Sequence, residues 1–358
     1  MMKILMLVNW GVHKKTNQRP QDLQSPNILK KNKKYWFFSD WPEENVKVDV
    51  IDYSKLFVIH TIEKNLLRFY VVQTLKALLK LEKYDLFISH GAQSAISLAF
   101  IRSIFGIRHP PHIIIDIGCL NGGRSNHPEL AIFQFAMRSV TGLIYHTSSQ
   151  KEHYDRYFPS LTKRAFFVPF GVDLEFFKPS DVRTEDYILS IGYKFRDWLT
   201  LTHAYTKIET KTKLEIVGHR NLNIDLPENV HYQPYVPINI LKELIAKAKF
   251  VVLPLVELPY AHGQMTLLQS MAMGKAVVVT KVPSTVDYIN DNEDALFVRL
   301  NDVDDMRNKI EFLLHNPEEI FRLGENARKA IKNKFTEKHM AEGIYKAVVN
   351  LGIGNEQF

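Results

Sequence analysis

Short runs of β-branched and aliphatic residues, each about long enough for one strand, recur along the chain between stretches of helical length. In the first half these are Lys3–Asn9, Val46–Ile51, Asp85–Ser89, His112–Ile117 and Leu143–Thr147. Tyr187–Ile191, Lys213–Val217, Phe250–Pro254 and Ala276–Thr280 repeat the style in the second half. Runs that are apolar at nearly every residue, rather than at every other one, belong to strands covered on both faces. The intervening stretches carry apolar residues at three- and four-residue intervals. Thr61–Glu82 is the longest, with Leu66, Leu67, Val71, Leu75, Leu78 and Leu79 on one face and Lys64, Arg68, Lys76, Lys80 and Lys83 around the other. Gln93–Ile104, Trp198–Tyr205, Ile240–Ala248, Met265–Met273, Val303–Leu314, Pro317–Asn333 and Glu337–Val349 read as further helices. Strand–helix alternation of this kind predicts an α/β fold with parallel sheets covered by helices on both faces. Functional loops then lie beyond the carboxyl ends of the strands.

At 358 residues the chain is long enough for two such units. Pro169, Gly171 and Pro179 cluster where the style restarts, so the expected domains are 1–170 and 171–336, with a terminal helix over about 337–352 packing back on the first. Residues 12–45 form a long irregular connection with clustered Lys30, Lys31, Lys33 and Lys34. Charge is uneven. Residues 1–165 hold 23 Lys and Arg against 13 Asp and Glu, and the remainder holds 23 against 26. A basic first half attracts an anionic partner such as a lipid surface or a phosphorylated acceptor. It has no compact aromatic–basic stripe, so nucleic acid is not expected. A single cysteine, Cys119, permits no intrachain disulfide and fits a reducing compartment. The first strand begins at Lys3 with no leader pattern, and the longest apolar runs are of strand length, so a cytoplasmic protein is expected. Histidines are scattered and no carboxylate pair has ligand spacing, so no metal is expected.

Three stretches carry a resemblance. Val168-Pro169-Phe170-Gly171-Val172-Asp173-Leu174-Glu175-Phe176-Phe177-Lys178-Pro179 fits a P-x-G-V-D-x-x-x-F-x-P segment. Leu189-Ser190-Ile191-Gly192, with Arg196 beyond it and Leu214-Glu215-Ile216-Val217-Gly218 after the next helix, fits an opening βαβ unit. Gly263-Gln264-Met265-Thr266-Leu267-Leu268-Gln269-Ser270-Met271-Ala272-Met273-Gly274 is similar to a helix usually written E-A-M-A-x-G. In this order they resemble the family 4-like glycosyltransferases, group 1, of the GT-B fold. The resemblance is dense in the second half and architectural in the first. It implies two Rossmann-like domains facing each other across a cleft, with the nucleotide-sugar on the second domain and the acceptor on the first. The donor would be UDP- or GDP-linked, and transfer would be retaining and metal-independent. The acceptor would be a glycan, a lipid-linked molecule or a small molecule, with peripheral contact to an anionic membrane.

The residues support a diphosphate site on their own chemistry. A helix N-terminus offers unpaired N–H groups and about half a positive charge. Gly263 lets a phosphate approach, Gln264, Met265 and Thr266 supply amides, and Arg196 adds a fork-shaped cation. Gln269 and Gly218 join the donor set, with Gln269 placed for the ribose. The family pattern has two glutamates eight positions apart; here those positions are Ala261 and Gln269, and Glu257 is the nearby carboxylate able to take over a sugar contact. This departure keeps two alternatives open: an epimerase that handles a nucleotide-sugar without transfer, and a non-catalytic partner subunit. In the first half, His90 and Asp116 at strand ends are the expected catalytic groups, Asp116 standing where relatives place a histidine. A hydrogen-bonded strand-end carboxylate is the other reading of Asp116. Gly11, after the first strand, and His219, after Gly218, complete the expected cleft lining.

Overall fold

The computed structural model describes residues 1–9, 36–38, 41, 46–52, 63, 69–118, 120, 128–218, 226–234 and 236–353. Gly11, His219, Cys119 and the lysine cluster at 30–34 lie outside the described residues. Twelve strands among those described build two six-stranded sheets, parallel throughout.

The first sheet contains β1 (Met2–Val8), β2 (Val46–Ile51), β3 (Leu86–His90), β4 (His112–Asp116), β5 (Gly142–Tyr145) and β6 (Ala165–Phe167), in spatial order β2-β1-β3-β4-β5-β6. The second contains β7 (Tyr187–Ile191), β8 (Lys213–Val217), β9 (Val230–Gln233), β10 (Val251–Leu253), β11 (Val277–Thr280) and β12 (Leu296–Val298), ordered β12-β11-β10-β7-β8-β9. The order reverses between β1 and β3 in one sheet and between β7 and β10 in the other. Loops leave in opposite directions at such points and open a crevice at the carboxyl ends.

Helices follow the strands: α1 (Val71–Leu78), α2 (Ala92–Ile104), α3 (Pro128–Ala136), α4 (Gln150–Tyr157), α5 (Trp198–Thr206), α6 (Ile238–Lys247), α7 (Gln264–Ala272), α8 (Val303–His315), α9 (Pro317–Lys334) and α10 (Glu337–Asn350). The helix expected over Thr61–Glu82 is shorter. Glu63 Oε1 accepts the Val72 N–H at 2.7 Å. Nine residues in one helix would separate those groups by about 13 Å, so Glu63 caps α1 from outside it. Gln73 then donates to Val8 O (3.0 Å) and Ile51 O (2.5 Å), fastening α1 to the ends of β1 and β2.

The apolar faces form separate cores on each sheet. Ile4, Met6, Leu86, Ile88 and Ile113 pack on one face of the first sheet with Met340, Ala341, Ile344, Ala347 and Val348. Those last five belong to α10, so the chain crosses back from the second sheet to finish the first. Two segments run side by side at the crossing. Val172 N donates to Phe335 O (2.9 Å) and Glu337 N to Val172 O (3.2 Å). Gly171 sits against Thr336 so closely that a Cβ would run into its carbonyl.

Candidate functional site

Beyond β7 the chain turns through 192–196 before Asp197 caps α5, its carboxylate accepting the Thr200 N–H at 3.0 Å. Phe195 holds φ at 58°, a left-handed conformation that costs an ordinary residue about 1 kcal/mol or more. The turn folds Arg196 back beneath it. Its guanidinium donates to Ile191 O (2.9 Å), Lys194 O (3.1 Å) and Thr266 Oγ1 (3.0 Å). A side chain on Gly192 would occupy the space of the guanidinium. Asp197 N reaches Pro254 O at 2.9 Å, tying the loops after β7 and β10 together at the switch point. Burial pulls the Arg196 pKa down to about 10, which leaves it charged at neutral pH.

The second loop ends at Gly263, the N-cap of α7, with φ of 78°. A Cβ there would lie 2.9 Å from Leu255 Cδ1, so both the sign of φ and the space call for glycine. Thr266 Oγ1 donates to Gly263 O (3.0 Å) while accepting from Arg196, so the cation is fixed to the first turn of the helix. Leu267, Leu268 and Met271 bury the other side of α7 in the second-sheet core.

A cavity of about 460 Å³ lies between these loops and the carboxyl ends of β3 and β5, within the range of small-molecule sites. The second half contributes residues 192–196 and 261–266, and the first contributes His90, Ile117, His146 and Phe170. Two contacts clasp the halves around it. Tyr288 donates its hydroxyl to His146 O (2.5 Å) and accepts from Phe170 N (2.9 Å). Asp287 accepts from Ser148 N (2.8 Å) and Ser148 Oγ (2.5 Å), with Thr147 Oγ1 at 3.0 Å. At the rim, a Cβ on Gly118 (φ 109°) would lie 2.6 Å from the Tyr260 ring of the other half.

The first-half wall carries two buried histidines. His146 Nδ1 is 2.7 Å from Val168 O. A carbonyl only accepts, so Nδ1 carries the proton and Nε2 presents a lone pair. Burial, partly opposed by that hydrogen bond and by the Asp116 charge, holds its pKa at about 4. His90 stands behind it, 5.0 Å from the Phe37 ring and 6.4 Å from the His146 ring. Burial, then the neighbouring His146, lowers the His90 pKa well below the usual range.

Of the residues expected from sequence, His90, Arg196, Gly263, Gln264, Met265 and Thr266 meet at this cavity. Asp116 does not. It is fully buried, with Oδ1 accepting from Gly118 N (3.0 Å) and Oδ2 from the Tyr154 hydroxyl (2.7 Å). Its carboxylate braces the turn after β4, and Asp116 is not among the residues that line the cavity. Glu257 is exposed and off the cavity wall. The His262 ring holds that loop through Val256 O (2.9 Å) and Tyr260 O (3.2 Å). Gln269 is buried within α7, away from the wall, and Gly218 backs Gly192, whose carbonyl a Cβ there would approach to 2.9 Å. Gly11 and His219 fall outside the described residues. Asn9, beside Gly11, accepts from Ser94 Oγ at 3.1 Å and fills the space next to Gly91. Sequence reasoning missed His146 and Lys194. The signal for His146 was its place at the end of the β5 run, the position that singled out His90 on β3. Among the described residues no cluster of three or more His, Cys, Asp and Glu is placed to hold a metal.

Residues 197–330 match the family model described as glycosyl transferases group 1. That segment is similar to the group 1 glycosyltransferase domain. It spans the Asp197 cap, the loop after β10, α7 and most of α9, and begins just after Arg196. A curated relative, the MMP alpha-(1->4)-mannosyltransferase of Mycolicibacterium hassiacum, is 25% identical over 189 residues. The alignment covers 49% of this chain and 45% of that protein, so it spans about half the length of the curated relative. Solved structures match nearly the whole chain, and two serve as examples. One is sucrose-phosphate synthase from Thermosynechococcus elongatus, with a TM-score of 0.70 at 14% identity over 98% of this chain and 99% of that one. The other is Anabaena HepE in complex with UDP, with a TM-score of 0.71 at 12% identity over 97% and 100%. The fold is GT-B. Against the group 1 pattern, Ala261 lines the cavity where the first glutamate is usual, and Gln269 replaces the second. Among the described residues the cavity wall therefore holds no carboxylate.

Proposed function

We propose that this protein is a glycosyltransferase that moves a sugar from a UDP- or GDP-linked donor to a hydroxyl acceptor. The observation that carries the reading is Arg196 bonded to Thr266 at the first turn of α7, inside a cavity shared by both halves. The diphosphate lies against the α7 N-terminus. Arg196 and Lys194 neutralise the charge that grows on the leaving phosphate, the main electrostatic demand of the reaction. These cations and the helix dipole take the place a divalent metal holds in other transferases, so transfer is metal-independent. With no carboxylate on the wall among the described residues, the departing phosphate oxygen takes the acceptor proton on the face it leaves, and the anomeric configuration is retained.

The acceptor, a glycan or a lipid-linked sugar, enters from the basic first half. At the end of α1 and in the turn after it, Leu75 and Leu79 are 51% and 83% exposed beside Lys76 and Lys80, a pattern that suits an anionic membrane surface. No helix among the described residues is long and apolar enough to cross a membrane. Co-sedimentation with vesicles of anionic and neutral lipid tests this. Equal recovery with both at low salt would remove the membrane from the reading.

Thermal shift with UDP, GDP, ADP and their common sugar conjugates tests the donor class. A ligand at about 100 times its dissociation constant adds roughly 2.7 kcal/mol. The nucleotide that shifts the protein is then used to search for product by mass spectrometry, and an NMR coupling constant reports its anomeric configuration. Ala261 on the cavity wall favours one second reading, a nucleotide-binding partner subunit without turnover. Tight nucleotide binding with no transfer, hydrolysis or epimerisation would select it.

A further inference from the structure

Two polar atoms in the cavity wall lack a partner among the described residues, and they are complementary. His146 Nε2 has no hydrogen-bond partner, and its residue is 2% exposed. The Nδ1–H bond to Val168 fixes the tautomer, so Nε2 accepts and cannot donate. Gln264 Nε2 also has no partner, and its residue is 6% exposed. That nitrogen donates and cannot accept. Both residues line the same cavity, one from the first half and one from the first turn of α7. Leaving a buried donor or acceptor unpaired costs about 1–3 kcal/mol, so these two wall residues carry unmet demands of opposite kind.

A hydroxyl group meets both, because it donates one hydrogen and accepts through two lone pairs. If the diphosphate sits at Arg196, as the proposed function has it, the group beyond the second phosphate fills the remaining cavity towards the first half. We propose that His146 Nε2 and Gln264 Nε2 form a hydroxyl-recognition pair for the transferred sugar. A sugar hydroxyl donates to His146, and the same or a neighbouring hydroxyl accepts from Gln264. The pair supplies the sugar contacts that Ala261 cannot make. It also sets the class of sugar: an acceptor-only imidazole turns its lone pair against a carboxylate, so the site takes neutral, hydroxylated sugars and disfavours uronic acids. Tyr288 adds a positional element. Its hydrogen bond to His146 O belongs to the clasp between halves, so the acceptor atom is in place only when the halves are closed.

Calorimetric titration of the full chain with UDP, UDP-glucose, GDP and GDP-mannose tests the pair. Asn at 146 keeps an amide able to donate to Val168 O and removes the Nε2 acceptor. Gln at 146 carries an amide oxygen out to the Nε2 position. His146→Asn is expected to leave the affinity for the bare nucleotide within about twofold and to weaken the matching sugar conjugate about tenfold. His146→Gln is expected to recover most of that loss. Gln264→Leu, which keeps the helix and its backbone amides, shows the same split and stands in if His146→Asn does not fold by circular dichroism. An equal loss for nucleotide and conjugate would mean a structural role and overturn the proposal. So would a conjugate affinity unchanged in both His146→Asn and Gln264→Leu. If none of the four probes binds the wild-type chain, the donor reading itself fails, and the pair falls with it.

Discussion

Removing the Arg196 side chain separates the two jobs the guanidinium performs. An arginine has five N–H donors. Three of them are engaged, with Ile191 O, Lys194 O and Thr266 Oγ1, which leaves two for a phosphate. Charge-assisted hydrogen bonds are worth about 1.5–3 kcal/mol each. Two at the lower end come to about 3 kcal/mol, so Arg196→Ala should weaken nucleotide affinity about a hundredfold. The three internal bonds hold the turn after β7. Water can replace them in part at this half-buried site, so their loss costs about 1–2 kcal/mol of stability, or roughly 4 °C in melting temperature. Titration calorimetry at fixed ionic strength measures the first effect and thermal unfolding the second. Arg196→Lys should keep part of the affinity, since it retains the charge without the planar fork. A variant that melts lower yet binds the nucleotide as tightly as wild type would refute the placement of the diphosphate and leave Arg196 as a loop brace.

Gly263→Ala should lower stability by about 1–2 kcal/mol and donor affinity along with it, because φ of 78° and Leu255 at 2.9 Å both oppose a Cβ; urea unfolding and titration read the two effects. Gly118→Ala should lower stability by about 1 kcal/mol or more, because φ of 109° resists a Cβ, and should push Tyr260 aside and open the cleft; urea unfolding reads the first effect and small-angle scattering the second, as a larger radius of gyration. Tyr288→Phe removes the hydroxyl that joins His146 O to Phe170 N, so it should loosen the clasp and weaken the sugar conjugate more than the bare nucleotide, a split readable by titration. Stability should also depend on pH through His146. Its pKa is held at about 4 in the fold, against an ordinary value near 6.5 in the unfolded chain. The contribution is therefore whole above pH 6.5 and is lost as pH falls towards 4, up to about 3 kcal/mol. Asp294, whose pKa burial raises to about 6, works in the opposite direction between pH 6 and 4. The difference in urea stability between wild type and His146→Asn isolates the histidine, and equal slopes between pH 7.5 and 5 would rule its burial out as the source.

The elements were legible in the sequence wherever burial imposes a local pattern. Val277–Thr280 and Tyr187–Ile191 are buried at every residue, so their composition states their environment. α7 was readable for a related reason: its apolar side recurs at helical spacing, and Gly263 and Gly274 mark its ends with backbone angles that other residues resist. The second-half wall of the cavity was readable with it, since a helix N-terminus and an arginine at the end of a strand run are both local features. Asp116 shows where such reading stops. A strand-end carboxylate looks the same in sequence whether it meets a ligand or, as here, Tyr154 from α4 and the amide of Gly118.

What the sequence by itself determined was nine of the twelve strands among the described residues, and the glycines and cations around one helix terminus. These follow from period, composition and backbone sterics acting over a few residues. Only the tertiary structure decided the strand order that sets both switch points facing one cavity, and the placing of His146 and Gln264 on the wall of that cavity from the two halves. Those outcomes depend on contacts between residues about 60 or more positions apart. No local periodicity encodes such contacts, because each partner is chosen by the shape and unmet hydrogen bonds of a surface that exists only once both sheets have formed.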